Sequence, residues 1–306
     1  MKKHTFFTIT LFGVLFLSCN QPVKTAEKAE QGTPVAASYA IPTEFSTYWY
    51  AGKAELTSYD YQINRYDEPR KGYAVFVFVT EPFSKSKQVK LDDAQKAGDD
   101  NVPVLKLNAL YRFNTGIYDY SMMTSLFTPI DLGKFPHSLK SNTTVQDWCG
   151  HVFSQMNWVS GDKYATHQYS YFETEGDKSP DTEGGLLEDE IFTRLRINPE
   201  SLPKGTIKVV PNLTYTRIRH KPIEGMNAKI EIRAVSNQAS VCNLVYESKR
   251  RLEVTFETSF PHKILSFVEF DGDKEMSRAT LKKTMMSDYW AKHDNNSAFL
   301  RKELGL

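Results

Sequence analysis

The chain has 306 residues, 40% of them hydrophobic and 13% aromatic, enough apolar material for one large core or two small ones. Its 38 basic and 37 acidic side chains nearly cancel, which leaves no electrostatic footprint for nucleic acid.

In chain order, Lys2, Lys3 and His4 come first, and Phe6 to Leu17 form an apolar run too short to cross a bilayer as a helix. Ser18 and Cys19 follow. Basic, apolar and small residues in that order predict a secretory signal peptide over 1–18. Its removal leaves 306 − 18 = 288 residues and, without Lys2 and Lys3, 36 basic against 37 acidic side chains, a charge of −1. Residues 19–41 are polar, small and poor in aromatics, a composition that predicts a flexible tether. Residues 42–306 predict a single large β-rich domain, with a subdivision near 175–185 as the alternative.

Cys19 directly after a small residue resembles the lipobox of bacterial lipoproteins, although Phe16 and Leu17 stand where a leucine and a small residue are usual. The resemblance implies cleavage before Cys19, acylation of its thiol and a lipid anchor whose hold grows with each buried methylene. Asn20 in place of an aspartate implies forwarding to the outer membrane, with either the periplasmic or the surface face open.

The domain is expected to begin with a short helix over residues 43–50. A strand over 53–63 follows, with Ala54 and Leu56 on one face and a change of phase at Ser58 that brings Tyr59, Tyr61 and Ile63 over, as a bulge would. Residues 73–80 are apolar on both faces and predict a strand covered on both sides. A charged loop over 84–101 leads to a half-buried strand through Leu105, Leu107, Ala109, Tyr111 and Phe113, then a turn at Asn114-Thr115-Gly116. Further strands are expected at 120–127, 146–159 and 167–173.

Residues 173–190 hold eight acidic side chains against one lysine, with Gly184-Gly185 inside, and read as a solvated loop entering a helix over 186–197. Leu187, Ile191 and Leu195 would form its apolar stripe, ended by Pro199 and Pro203. Antiparallel strands are expected at 207–210, 214–219, 228–235, 241–246, 251–257 and 263–270, and a closing helix at 287–304. The expected fold is mainly β: a curved antiparallel sheet or half-barrel with a few packed helices.

The order of features from Asp189 to Gly205, then Arg251 to Phe256 and Pro261 to Phe267, is similar to an uncharacterised half-barrel family of exported bacterial proteins. The resemblance implies an antiparallel sheet curled around a helix, as in lipoprotein carriers, and a groove for an apolar ligand; fold alone carries no function. The whole chain also resembles uncharacterised lipoproteins sometimes labelled septum formation inhibitor Maf. The Ser-x-Ser-Pro-Arg-Arg loop of true Maf pyrophosphatases has no counterpart: the nearest run is Glu68-Pro69-Arg70, with no serines ahead of it.

No residue is assigned a catalytic role and no metal site or cofactor is expected. Cys149 and His151 lie close enough in sequence for a thiol and its base, but Trp148 and Cys149 read better as packing. Cys149 and Cys242 could close one disulfide in an oxidising compartment; two buried free thiols is the preferred reading. His137, His151, His167, His220 and His262 never recur at metal-ligand spacing, and Asp181, Glu183, Glu188 and Asp189 match no calcium loop. Residues 214–221 mix arginines with an aromatic and would suit anionic glycan or lipid headgroups. Among the tyrosines, Tyr59, Tyr61, Tyr111, Tyr169 and Tyr171 are the candidates to line a ligand groove. The leading expectation is a non-enzymatic lipoprotein binding a hydrophobic or envelope-derived ligand (lipid, glycan or another envelope protein, not nucleic acid). A hydrolase on cell-wall or glycan material and a structural component of an envelope complex are the alternatives.

Overall fold

A computed structural model describes residues 43–306; the expected signal peptide, Cys19 and the expected tether lie outside the described residues. The chain is mainly β, one large curved and unclosed sheet with four short helices among the described residues. A first wing runs β1 (Ala54–Arg65), β2 (Glu68–Ser84), β3 (Asn101–Thr115), β4 (Tyr118–Pro129), β5 (Lys140–Asp147), β6 (Gly150–Ser160), β7 (Lys163–Ser170) and β8 (Asp181–Glu183). A second runs β9 (Leu186–Leu187), β10 (Gly205–Val210), β11 (Met226–Ala234), β12 (Ala239–Tyr246), β13 (Arg250–Glu257), β14 (Ile264–Asp271) and β15 (Lys274–Ser287). The helices are α1 (Thr43–Trp49), α2 (Glu190–Ile197), α3 (Leu213–Arg219) and α4 (Leu300–Glu303).

Every neighbour in the 15-stranded sheet is sequential and antiparallel except two: β1 pairs with β15, joining the wings, and β9 pairs parallel with β10. The sheet's outermost strands are therefore β8 and β9, which only Gly184 and Gly185 separate in sequence. Laid flat, fifteen strands would hold those edges roughly 65–70 Å apart, whereas a two-residue link spans about 11 Å at most. The sheet must curl until its edges nearly meet. They meet closely: a Cβ on Gly184 would lie 2.4 Å from the Val210 side chain, and one on Gly225 would lie 2.1 Å from the Glu183 carbonyl.

The curl encloses the main core. All eight residues of α2 are buried, so the helix has no solvent face. Phe192 packs edge-on against Phe76 of β2 at 5.2 Å and Phe267 of β14 at 5.3 Å, and those two rings stack across the junction of the wings. The expected stripe of Leu187, Ile191 and Leu195 is buried throughout, but Leu187 belongs to β9 and the helix begins only at Glu190.

The expected bulge in β1 appears as a shift in its register with β15 between Ser58 and Tyr59. Two-sided burial of β2 also holds. Ala74, Phe76 and Phe78 join the enclosed core, while Val75, Val77 and Val79 pack outside with Ala54, Leu56 and Leu304. The chain's last turns supply that outer cover, and Ser58 Oγ donates to the Leu304 carbonyl at 2.5 Å.

Four local expectations are corrected. Residues 146–159 are not one strand, because β5 ends at Asp147 and turns through Trp148-Cys149 into β6. Asp147 Oδ1 accepts from the Cys149 amide at 2.6 Å and so builds that turn. Residues 214–219 are helical, not extended: Asn212 Oδ1 caps the Tyr215 amide at 2.6 Å, and His220 ends the helix in the left-handed region at φ 52°. The closing helix at 287–304 is replaced by β15, two 3-10 turns and the single turn of α4; Asp294 accepts from the Ser297 amide where a longer helix would have run. Finally, the acidic run is only partly solvated. Glu188, Asp189 and Glu190 are 0%, 8% and 0% exposed.

Candidate functional site

Those three carboxylates sit where β9 passes into α2, inside the curl. A charge buried there is tolerable only with partners. Two of the three have them. Arg250 of β13 grips Glu188 with both terminal nitrogens, Nη2 to Oε1 at 2.7 Å, while the Tyr246 hydroxyl and Asn212 Nδ2 also donate to it. Burial pushes the Glu188 carboxyl up, but the Arg250 guanidinium and these donors outweigh it and hold the pKa below the usual carboxylate value. Glu190 accepts from Arg194 Nε at 2.8 Å and from the amides of Leu187 and Ser138 at 3.3 Å.

Asp189 has nothing. Its carboxyl makes no hydrogen bond among the described residues, caps no amide of α2 and faces a cavity. Burial and the neighbouring charges of Glu188 and Glu190, only partly offset by Arg250, raise its pKa to about 8. At neutral pH it is a carboxylic acid, able both to donate and to accept.

The cavity measures about 40 Å³, room for two or three waters. One wall is aromatic and continuous: Tyr61 meets Tyr111 at 5.2 Å, Tyr111 stands perpendicular to Phe267 at 6.4 Å, and Phe267 meets Phe192. Tyr215 and Arg219 of α3 and Glu269 of β14 complete the lining named here. Arg250 Nε donates to Glu269 Oε1 at 2.9 Å, and its guanidinium lies 3.9 Å from the centre of the Tyr215 ring. One arginine thus ties Glu188 to Glu269 beneath a ring that lines the cavity. A second buried pair pins the other end of α2: Arg196 donates to Glu55 of β1 at 2.5 and 2.6 Å.

No family model matches the chain, and no curated protein is significantly similar to it. Among solved structures, the chain is similar to a β-barrel-like protein of a domain of unknown function, DUF1849, from Brucella abortus. The two are 10% identical, the likeness covers 77% of this chain and 98% of that one, and the TM-score is 0.46.

Of the tyrosines expected at a groove, Tyr61 and Tyr111 line the cavity. Tyr59 does not: it is wholly buried between Phe76 and Phe267, and its hydroxyl donates to the Ile264 carbonyl. Tyr169 and Tyr171 are 52% and 46% exposed on β7 and the loop after it, away from this pocket. Tyr66, Tyr118 and Tyr120 form a separate group near the hairpin tips, linked through their hydroxyls, with Arg65 4.4 Å from the Tyr66 ring. Of the other lining residues, Tyr215 is the aromatic of 214–221, expected to face anionic headgroups, Glu269 is not among the expected site residues, and Asp189 was assigned to solvent. Within 214–221, Arg217 is buried over the Phe172 ring rather than presented to an anionic surface.

Among the described residues, Cys149 and Cys242 are both free. Cys149 sits in the exposed turn between β5 and β6, while Cys242 is buried in β12. The two thiols are therefore not both buried, and the exposed turn corrects the reading of Trp148 and Cys149 as packing; Trp148 is 67% exposed. Burial pushes the Cys242 thiol up to about 12. Maleimide is therefore expected to label Cys149 in the native protein and Cys242 only after denaturation, a pattern that peptide mass mapping would read directly. Asp181 and Glu183 are exposed on β8 while Glu188 and Asp189 are enclosed, so the acidic run divides into two environments. Among the described residues, no three His, Cys, Asp or Glu side chains gather as a metal site.

Proposed function

We propose that this chain is an exported, lipid-anchored envelope protein that binds a small polar group of an envelope-derived ligand in the Asp189 cavity, without transforming it. The observation that carries the binding reading is the carboxyl of Asp189, a residue only 8% exposed, left without a protein partner and opening on a cavity. Such groups are almost always satisfied in folded proteins, and one that is not points to water or a ligand at that place. The cavity's size speaks against an enclosed acyl chain, because sites for drug-sized ligands occupy roughly 300–1,000 Å³. The carrier-like expectation therefore narrows to a head group rather than a lipid tail.

The anchor rests on residues 1–20 alone. Palmitate labelling of the mature product tests it, and an unlabelled protein recovered from the cytosol would remove the envelope placement. Native mass spectrometry of gently purified protein tests binding: a co-purified small molecule lost on Asp189→Asn supports it.

One observation favours a second reading, hydrolysis. Asp189, protonated at neutral pH, and Glu269, ion-paired with Arg250, line the same cavity and could serve as acid and base. Turnover of a peptidoglycan or glycan substrate, lost in Asp189→Asn and in Glu269→Gln, would establish that reading in place of simple binding.

A further inference from the structure

We infer that the Asp189 cavity takes an organic ammonium head group, held against the aromatic wall and paired with the Asp189 carboxylate. The inference rests on the binding reading above and names its ligand class. Three features of the cavity converge on it.

The first is the wall. Tyr61, Tyr111, Phe192 and Phe267 meet one another at the cavity, and Tyr215 also lines it. Clustered rings offer negative faces to a cation and supply no charge of their own, which is how ammonium groups are held in aromatic cages. Burial raises the pKa of the Tyr61, Tyr111 and Tyr215 phenols, so the wall is neutral at any physiological pH.

The second is the charge count. Glu188, Asp189, Glu190 and Glu269 supply four carboxylates, and Arg194, Arg219 and Arg250 three guanidiniums. With Asp189 protonated the group is neutral, three against three; with Asp189 ionised it carries one negative charge too many. Arg250 is already shared between Glu188 and Glu269, Arg194 is taken by Glu190, and Arg219 donates to the Asn64 carbonyl. Arg219 lines the cavity in no ion pair with a carboxylate, but it is already counted among the three, so the set as a whole still carries the surplus. A ligand cation would complete the set.

The third is the vacancy of Asp189 itself. The residue is 8% exposed, and its carboxyl makes no hydrogen bond among the described residues, so it is placed to pair with what enters. Entry of a cation would then expel the Asp189 proton to solvent. Nothing is oxidised, and the proton is the only group that leaves.

Calorimetric titration of the mature protein with ethanolamine tests this, alongside 1-propanol, its neutral isostere in which a methyl group replaces the ammonium. Ethanolamine is expected to bind about tenfold more tightly than the neutral isostere. Binding near neutral pH should release close to one proton, read from the dependence of the heat on buffer ionisation, and the release should fade above about pH 9. Asp189→Asn should lose about tenfold in ammonium affinity, and Tyr215→Leu, which spares the buried carboxylates, should weaken it as well. Thermal melts of both variants establish that they fold.

Equal binding of ethanolamine and 1-propanol, or binding without proton release, overturns the ammonium assignment. So does failure of ethanolamine to bind while another small molecule co-purifies, and in that case the binding reading stands. Failure of ethanolamine together with no co-purified ligand overturns both.

Discussion

Arg250→Met is expected to lower the free energy of unfolding by about 3–5 kcal/mol, because it leaves Glu188 buried and charged without its counterion. The size follows from geometry. Glu188 is wholly buried and receives both terminal nitrogens of Arg250, and the same guanidinium donates to Glu269 through Nε. Tyr246 and Asn212 would still donate to Glu188, but neither carries charge. A second substitution separates the lost pair from lost packing. Arg250→Met combined with Glu188→Gln removes the orphaned charge while keeping a group that Tyr246 and Asn212 can address, and should recover a large part of the loss. Urea unfolding near pH 7 measures both. A single variant that costs under about 1 kcal/mol would mean the pair behaves as an exposed one, contrary to its burial.

Asp189→Asn is expected to act in the opposite direction, stabilising the protein near pH 7 by a few kcal/mol, at most about 4. Its folded-state pKa of about 8 lies above the ordinary value of 3.8. Between those values the unfolded chain gives up its proton while the folded chain keeps it. Protonation therefore favours the fold fully below about pH 4, and that advantage is lost as pH rises to about 8, beyond which the curve is flat. Asparagine is neutral throughout and escapes the loss. Glu188 has its pKa lowered in the fold and works with the reverse sign, its stabilisation being lost as pH falls below the usual carboxylate range. The wild-type and Asp189→Asn curves should share that acid limb, so their difference isolates Asp189. Urea midpoints from about pH 4 to pH 9 should converge at the acid end and diverge toward the basic one. Parallel curves would show that Asp189 is ionised and solvated at neutral pH, and would remove the ground for a neutral acid in the cavity.

Much of the first wing could be read along the chain. The phase change at Ser58 and the two-sided apolar run of β2 are local patterns, and each carries its consequence in a few consecutive residues. In the second wing β10 to β14 were equally open to such reading, and β15 was not. β15 has Lys274, Arg278, Lys282 and Lys283 among its residues and presents no clean alternation, yet it pairs along its length with β1 and β14. Its backbone is satisfied by those neighbours, and side-chain pattern says little about that. The segment 214–219 alternates in character, but Asn212 before it and the turn at His220 close it into a helix.

The cavity was the least legible part. Eight acidic residues close together imply solvent when read in sequence, and for Asp181 and Glu183 that reading holds. Glu188 and Glu190 are enclosed because their partners arrive from elsewhere, Arg250 from 62 positions away and the Ser138 amide from 52. Glu269 gave no local signal, since a strand glutamate occurs in any such protein, and Tyr215 stood out only as the aromatic among the arginines of 214–221, with nothing local to place it at a cavity.

By itself the sequence determined a mainly β chain with short helices, the positions of most strands and the bulge in β1, because apolar periodicity and turn residues act over a few neighbours. Only the tertiary structure decided that the sheet's two edges come together at Gly184-Gly185, that three carboxylates go inside, and that one of them is left unpaired. Burial and charge pairing are properties of residues far apart in the chain, and they exist only once the sheet has curled.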